Sequence, residues 1–237
     1  MAKEQKPQLI ELRHGELTLN GTPVNEIIKS GYRQFKRNKK TGKNEIHIGN
    51  VTLVTQNDKL KQLDNNTLAL FIYIVMLLTK TTDNQIAINI KDYAAFSGYN
   101  VYQENKAKAK AELDKFRRYY NAALNNLKSL WVSWIDTKHG KATDEYTDKS
   151  LLTGTRLKAG ISTIEVNRDL TEPLRNNNYI TSIPQNATKL GIGATKGYTQ
   201  GYFKLSQQYN MAKNKEHDTH NIVSIETFRE WIGLPRL

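Results

Sequence analysis

Cleavage of a phosphodiester through a bound metal and a covalent intermediate calls for two histidines separated by one apolar residue, together with a nucleophilic tyrosine. The nearest arrangement in this chain is His217-Asp218-Thr219-His220, whose wider spacing and polar setting read as a solvated turn. Tyr119-Tyr120 supplies adjacent phenols, but Tyr120 falls on the apolar stripe of a helix and reads as core. Gly191-Ile192-Gly193, with Gly197 and Gly201, lacks the Gly-Lys-Ser/Thr ending that holds nucleotide phosphates and Mg²⁺, and reads as a flexible lead into a helix. His14, His47 and His139 lie far apart, so no Ser/His/Asp arrangement can be nominated. Cysteine is absent, which removes thiol catalysis, disulfides and Cys-based zinc sites together. The expectation is a non-enzymatic protein that needs no cofactor and no metal.

The charge carries more information. Thirty-five Lys+Arg against 23 Asp+Glu leave a formal net charge of +12, with a pI near 9.6. That balance implies an anionic partner, nucleic acid first and an acidic membrane surface second. The longest apolar run, Leu68 to Leu78, is about half of the ~20 residues a membrane-spanning helix needs, and it reads as a buried core helix. The first residues lack the long apolar region and small-residue cleavage site of an export signal. With no cysteine, the expected home is the cytoplasm.

Several elements would position this charge. Leu17, Leu19 and Asn20-Gly21 suggest a strand running into a turn. Tyr32 to Thr55 reads as two extended halves around a polar tip, a β-hairpin or arm carrying Lys29, Arg33, Lys36, Arg37, Lys39, Lys40 and Lys43; a solvated loop fits these residues equally well. Asp64 can cap a helix over 65–80. QIAINI (85–90) alternates as a strand, and 91–98 reads as a short helix ended by Gly98. From Tyr102 to about Leu130 helix formers dominate, with Ala109, Leu113, Phe116, Tyr120, Ala123, Leu124 and Leu127 on one apolar stripe. Gln103, Glu104, Ala107, Lys110, Ala111, Asp114, Arg118, Asn121 and Asn125 occupy the opposite face. WVSWID (131–136) and LKAGISTIEV (157–166) read as two strands around a charged tip, a wing. Helix, strand, helix, long helix, strand, wing, strand is the order of a winged helix-turn-helix.

Residues 167–178 are polar, contain Pro173 and lose periodicity, which reads as a linker. Beyond it, Tyr198, Tyr202, Leu205 and Tyr209 recur at helical steps, and NIVSIETFREWIGLP gives a strand and then a helix capped by Ser224. This repeats the opening of the first module and breaks off at Leu237, where a second long helix should begin. The expected class is therefore α+β, mainly α, with two winged-helix domains. Residues 1–59 form a basic amino-terminal segment, 60–166 a first domain, 167–178 a linker, and 179–237 a second, incomplete domain.

At YITSIPQNATKLGIGATKGYTQGYFKLSQQYNM and NIVSIETFREWIGLP the chain resembles the replication initiators of theta-replicating plasmids and related phages, which have two tandem winged-helix domains. The first half resembles them by element order. The likeness covers roughly residues 60 to 237, and departs from the family in the basic stretch before residue 60 and in the missing end. It implies binding to repeated origin sequences, opening of the nearby duplex with a host initiator and helicase, and repression of the protein's own gene. Double-stranded DNA bearing origin repeats is thus the expected partner, with a second copy of the chain as homodimer and no membrane. A winged-helix transcriptional repressor is the first alternative, and a metal-dependent DNA-nicking enzyme the second.

In such folds the amino-terminal part of the long helix enters the major groove, where each base pair presents its own donor and acceptor pattern. Gln103, Lys106 and Lys110 are the base-reading candidates, since glutamine can pair two-pronged with adenine and lysine with guanine. A solvated helix face explains the lysines almost as well. Asn100, Tyr102, Arg117 and Arg118 are candidates for phosphates. Lys138, His139 and Lys141 would meet the backbone or minor groove from the wing tip, and Lys36, Arg37, Lys39, Lys40 and Lys43 a neighbouring groove.

Overall fold

The computed structural model describes residues 33–138 and 141–175, together with Ile27 and Ser30. The expected second winged-helix domain at 179–237, the His217 to His220 turn and the glycine-rich stretch lie outside the described residues.

Helix α1 (Asn65–Leu78) starts where Asp64 accepts a hydrogen bond from the Thr67 backbone N–H at 2.7 Å. Leu68, Leu70, Phe71, Ile74, Val75, Met76, Leu77 and Leu78 are all buried, because a helix that is apolar all round must be enclosed by its neighbours. Strand β4 (Gln85–Asn89) follows; Asn89 then caps α2 (Ile90–Phe96) by accepting from the backbone N–H groups of Lys91 and Asp92. Gly98, at φ +91°, turns the chain out of that helix in the left-handed conformation glycine adopts without strain. Helix α3 (Lys106–Lys128) crosses α1 and buries Phe116, Tyr120, Ala123 and Leu127 of the expected stripe.

Two antiparallel sheets flank these helices. One has five strands in the order β1-β2-β3-β5-β6, from β1 (Lys36–Arg37), β2 (Asn44–Ile48), β3 (Val51–Thr55), β5 (Leu130–Lys138) and β6 (Lys141–Ser150). The other has three, β4-β8-β7, with β7 at Leu152–Lys158 and β8 at Ile161–Val166. A short helix α4 (Arg168–Arg175) returns over α1, where the Arg175 Nε donates to the Leu78 carbonyl at 2.9 Å and satisfies one of the orphan acceptors at the end of α1. Buried side chains from Ile27 to Leu174 form one continuous core drawn from both sheets and all four helices.

Six expectations are corrected. The described chain is evenly mixed helix and strand, not mainly α, because polar stretches without alternation turn out to be edge strands. Strand WVSWID does not pair with 157–166: it joins β3 and β6, with Val51 opposite Trp134 and Trp131 opposite Ser150, while β8 pairs with β4 and β7. The KATDEYTDKS segment, read as a loop, is the edge strand β6, whose polar sequence carries no apolar alternation to mark it as a strand. LKAGISTIEV is broken by a two-residue turn at Ala159-Gly160, both at positive φ (51° and 79°), the form that matches the twist of a hairpin. Residues 168–175, read as linker, are helical because Leu170 and Leu174 stand one turn apart and are both buried, which outweighs Pro173. The basic hairpin is likewise two hairpins, since Gly49-Asn50 reverses the chain between Ile48 and Val51.

Candidate nucleic-acid interface

One end of the molecule gathers exposed cations around α3. Its helix starts at Lys106 rather than Tyr102, because Asn105 accepts from the Lys108 backbone N–H at 3.1 Å and caps the chain there. Asn100, Tyr102 and Gln103 consequently lie in the turn before the helix. Gln103 is not on the reading face: its amide donates to the Asn100 carbonyl at 2.8 Å and braces the turn. Tyr102 is 59% exposed, and its hydroxyl donates to the Asp92 carboxylate. That hydrogen bond, first among the causes, holds the Tyr102 phenol up at about 12. Lys91 Nζ sits 4.1 Å from the centre of the Tyr102 ring, a cation over an aromatic face.

The β7–β8 turn belongs to the same edge. Its Gly160 carbonyl accepts from the Ile90 N–H at 3.0 Å, which ties the turn to the first residue of α2, next to Lys91. Arg156, Leu157 and Lys158 stand exposed just before it, Leu157 at 56%. Turn, α2 start, Tyr102 and the α3 amino terminus thus form one contiguous ridge.

Along α3, Lys106, Ala107, Lys110, Ala111, Asp114, Arg118, Asn121 and Asn125 are exposed on the side opposite the buried stripe. Ala107 and Ala111 leave the helix backbone uncovered between flanking lysines. Lys106, Lys108, Lys110 and Arg118 take part in no ion pair among the described residues, whereas Arg117 is held by Asp114 at 3.0 Å. The helix therefore offers small side chains in its middle and mobile positive charge at its margins.

The other sequence-nominated cations are elsewhere. Lys36 and Arg37 form the exposed edge strand β1, and Lys39, Lys40 and Lys43 the loop after it. This loop lies at the carboxyl end of α3, where Asn44 pairs with Thr55 and Thr55 with Leu130. A helix of 23 residues is about 35 Å long, so the two basic groups cannot share one site. Lys138 and Lys141 are register partners at the tip of the β5–β6 hairpin in the five-stranded sheet, not beside α3, and His139 lies outside the described residues. Lys91, Lys108, Arg156 and Lys158 were missed; the Lys-Ala-Gly-Ile sequence at 158–161 carries the turn signal that would have found the last two.

His47, exposed, bonds Thr52 at 2.9 Å and Glu45 at 3.1 Å on the five-stranded sheet. Among the described residues no group of three or more His, Asp or Glu is placed to hold a metal. No helix among them is long and apolar enough to cross a membrane.

No protein-family model matches the chain, and no curated protein is similar to it in sequence. Among solved structures it is similar to domain 2 and domain 3 of RctB, at 14% identity over 85% of this chain and 73% of that one, with a TM-score of 0.42.

Proposed function

We propose that this protein is a sequence-reading binder of double-stranded DNA, that α1 to α3 with β4, β7 and β8 make a winged-helix module, and that it acts as a replication initiator of a plasmid or phage without catalytic chemistry of its own. The observation that carries the reading is the exposed face of α3: two alanines in the middle, lysines along the margin that take part in no ion pair among the described residues, and a basic hairpin tied to the same edge. The major groove, about 12 Å wide, admits an α-helix, and small side chains such as Ala107 and Ala111 let the backbone come close to the base edges. Lys106 and Lys110 are then placed for base edges or phosphates, Arg118 for phosphates on the outer side.

The true wing in this reading is the β7–β8 turn, with Arg156, Leu157 and Lys158 directed at the backbone or minor groove. Lys91, fixed over Tyr102, would hold a phosphate between wing and helix. The initiator role rests on the resemblance in residues 179–237 to the initiator family, together with the strong positive charge. Host initiator and helicase, a homodimeric state and a cytoplasmic location belong to the same proposal.

A footprint of the purified protein on the non-coding DNA beside its own gene tests it. Evenly spaced direct repeats under protection are the expected result. A single inverted repeat over the promoter would replace the initiator role by a repressor role, and protection without sequence preference would remove the base-reading role of α3.

A further inference from the structure

The outer face of the five-stranded sheet carries a cleft that the duplex-binding ridge does not use. Along β5 the side chains alternate, so that Leu130, Val132 and Trp134 are buried in the core while Trp131, Ser133 and Ile135 face the other way. Trp131 and its register partner Val54 are the apolar lining of a cavity of about 410 Å³, within the ~300–1,000 Å³ range of small-ligand sites. Its rim is polar: Asn44, Thr55, Gln56 and Asp58 on one side, Lys43 and Asp148 on the other. Asp148, at φ +48°, donates its backbone N–H to Ser133 Oγ at 2.8 Å and accepts from that hydroxyl at its carboxylate, where the β5–β6 register shifts, and this irregularity brings the carboxylate to 2.9 Å from Lys43 Nζ.

The basic loop runs into the lining of the cleft at Gly42, Lys43 and Asn44. Asn38 Oδ1 accepts from the Lys40 N–H at 2.8 Å and fixes the turn, which leaves Lys39 and Lys40 exposed, next to Lys36 and Arg37 on β1; none of these four takes part in an ion pair among the described residues. The cleft thus combines a half-buried aromatic face, amide groups able to meet the edge of a heterocycle, the Asp58 carboxylate and the Lys43–Asp148 pair in its lining, and further exposed cations on the adjoining loop.

We propose that this cleft binds single-stranded nucleic acid, with one base laid on Trp131 and the flanking phosphates on Lys39 and Lys40. The Asp58 carboxylate disfavours a phosphate or a carboxylate in the lining, where Lys43 and Asp148 neutralise each other, so that the uncharged base enters while the outer lysines hold the backbone. A duplex fits poorly, because the faces of its bases are covered by their neighbours and stacking on a side chain requires an unstacked base. An acidic peptide would satisfy the lysines but has no ring for Trp131.

The experiment is fluorescence-anisotropy binding of a labelled oligothymidylate to the full chain, with a duplex of the footprinted sequence measured in parallel. Loss of one base stack in Trp131→Ala should weaken oligothymidylate binding roughly 5- to 150-fold, while Trp131→Phe stays near wild type and neither changes duplex binding. Because Trp131 also packs on Val54, Lys39→Ala/Lys40→Ala in the exposed loop provides a second measure. It should flatten the salt dependence of oligothymidylate binding and leave thermal unfolding unchanged. Unaltered oligothymidylate binding in Trp131→Ala or in the double lysine variant overturns the proposal, as does displacement of the oligonucleotide by polyglutamate at equal charge concentration. Duplex binding that fails while oligothymidylate binding survives would overturn the α3 reading and leave the cleft standing.

Discussion

The two basic regions of this molecule carry similar numbers of lysines and arrange them in opposite ways. On α3 the lysines flank exposed alanines on a convex helix face. On the five-stranded sheet they rim a concave cleft, and one of them, Lys43, is already neutralised by Asp148 at 2.9 Å. A convex face with small residues can approach a groove, whereas a rimmed hollow with an aromatic floor can only receive something inserted. Charge alone does not distinguish the two; the shape beneath it does.

The sharpest way to break the comparison is Ala111→Glu. A bulky anion in the middle of the α3 face should reduce duplex affinity by about 100-fold or more, because it blocks approach to the groove and opposes the phosphates. Thermal unfolding should shift little, as Ala111 is exposed and a surface change is usually within about ±0.5 kcal/mol. Unchanged duplex binding by gel shift would remove α3 from the interface.

Next in size is Lys110→Ala, with an expected loss of about 1–3 kcal/mol on the specific site and a smaller one on unrelated DNA. Equal losses on both would reduce Lys110 to a phosphate contact. At the level of the whole ridge, if six to ten cations meet phosphates, duplex affinity should fall about 10³–10⁵-fold between roughly 50 and 200 mM salt, and Lys106→Ala should lower the slope by about one unit. A flat salt response would contradict the charge argument as a whole.

The helical side of the core offers a pH test. Burial, the largest cause in each case, pushes the phenols of Tyr73 and Tyr93 well above their ordinary value and that of Tyr120 up to about 12. A phenol whose folded-state value exceeds its unfolded value of 10.0 contributes stability that is complete below pH 10 and is lost as pH rises through the folded value. Tyrosinate absorbance from these buried rings should therefore appear on alkaline titration only together with unfolding. A single smooth titration with retained helical circular dichroism would show that the ring cluster of Tyr73, Tyr93, Phe116 and Tyr120 is open to solvent.

Smallest is Lys43→Ala. The pair with Asp148 is about half exposed on both sides, so its loss should change stability by no more than about 1 kcal/mol and duplex affinity hardly at all. A large loss of duplex binding would place the sheet cleft and the α3 face on the same DNA and erase the contrast drawn between them.

How much was legible follows from the kind of signal each element carries. Asp64 before an unbroken apolar run announces α1, and the three- and four-residue recurrence of Phe116, Tyr120, Ala123 and Leu127 announces α3, since burial of a helical face leaves a period in the sequence. The start of α3 was misplaced by four residues because Gln103 and Glu104 favour helix as much as their successors do. Only the hydrogen bond of Asn105 to Lys108 decides where the helix begins. Lys106 and Lys110 could be nominated from the sequence because a helix fixes which residues share its outer side.

Composition, charge and helical period by themselves determined a basic, cysteine-free chain with a buried first helix and a long amphipathic one. Pairing of strands was decided only in three dimensions. WVSWID alternates equally well beside 157–166 or beside β3, and its alternation states which face is dry but not which neighbour supplies the hydrogen bonds. The choice of β3 and β6 comes from long-range register, Leu53 opposite Val132 across some eighty residues of chain, and from the two-residue reversal at Ala159-Gly160 that commits 152–166 to a hairpin of its own. That choice moved the basic loop to the far end of α3 and opened the Trp131 cleft, because a β-strand's partners are set by which edges the packed helices leave free.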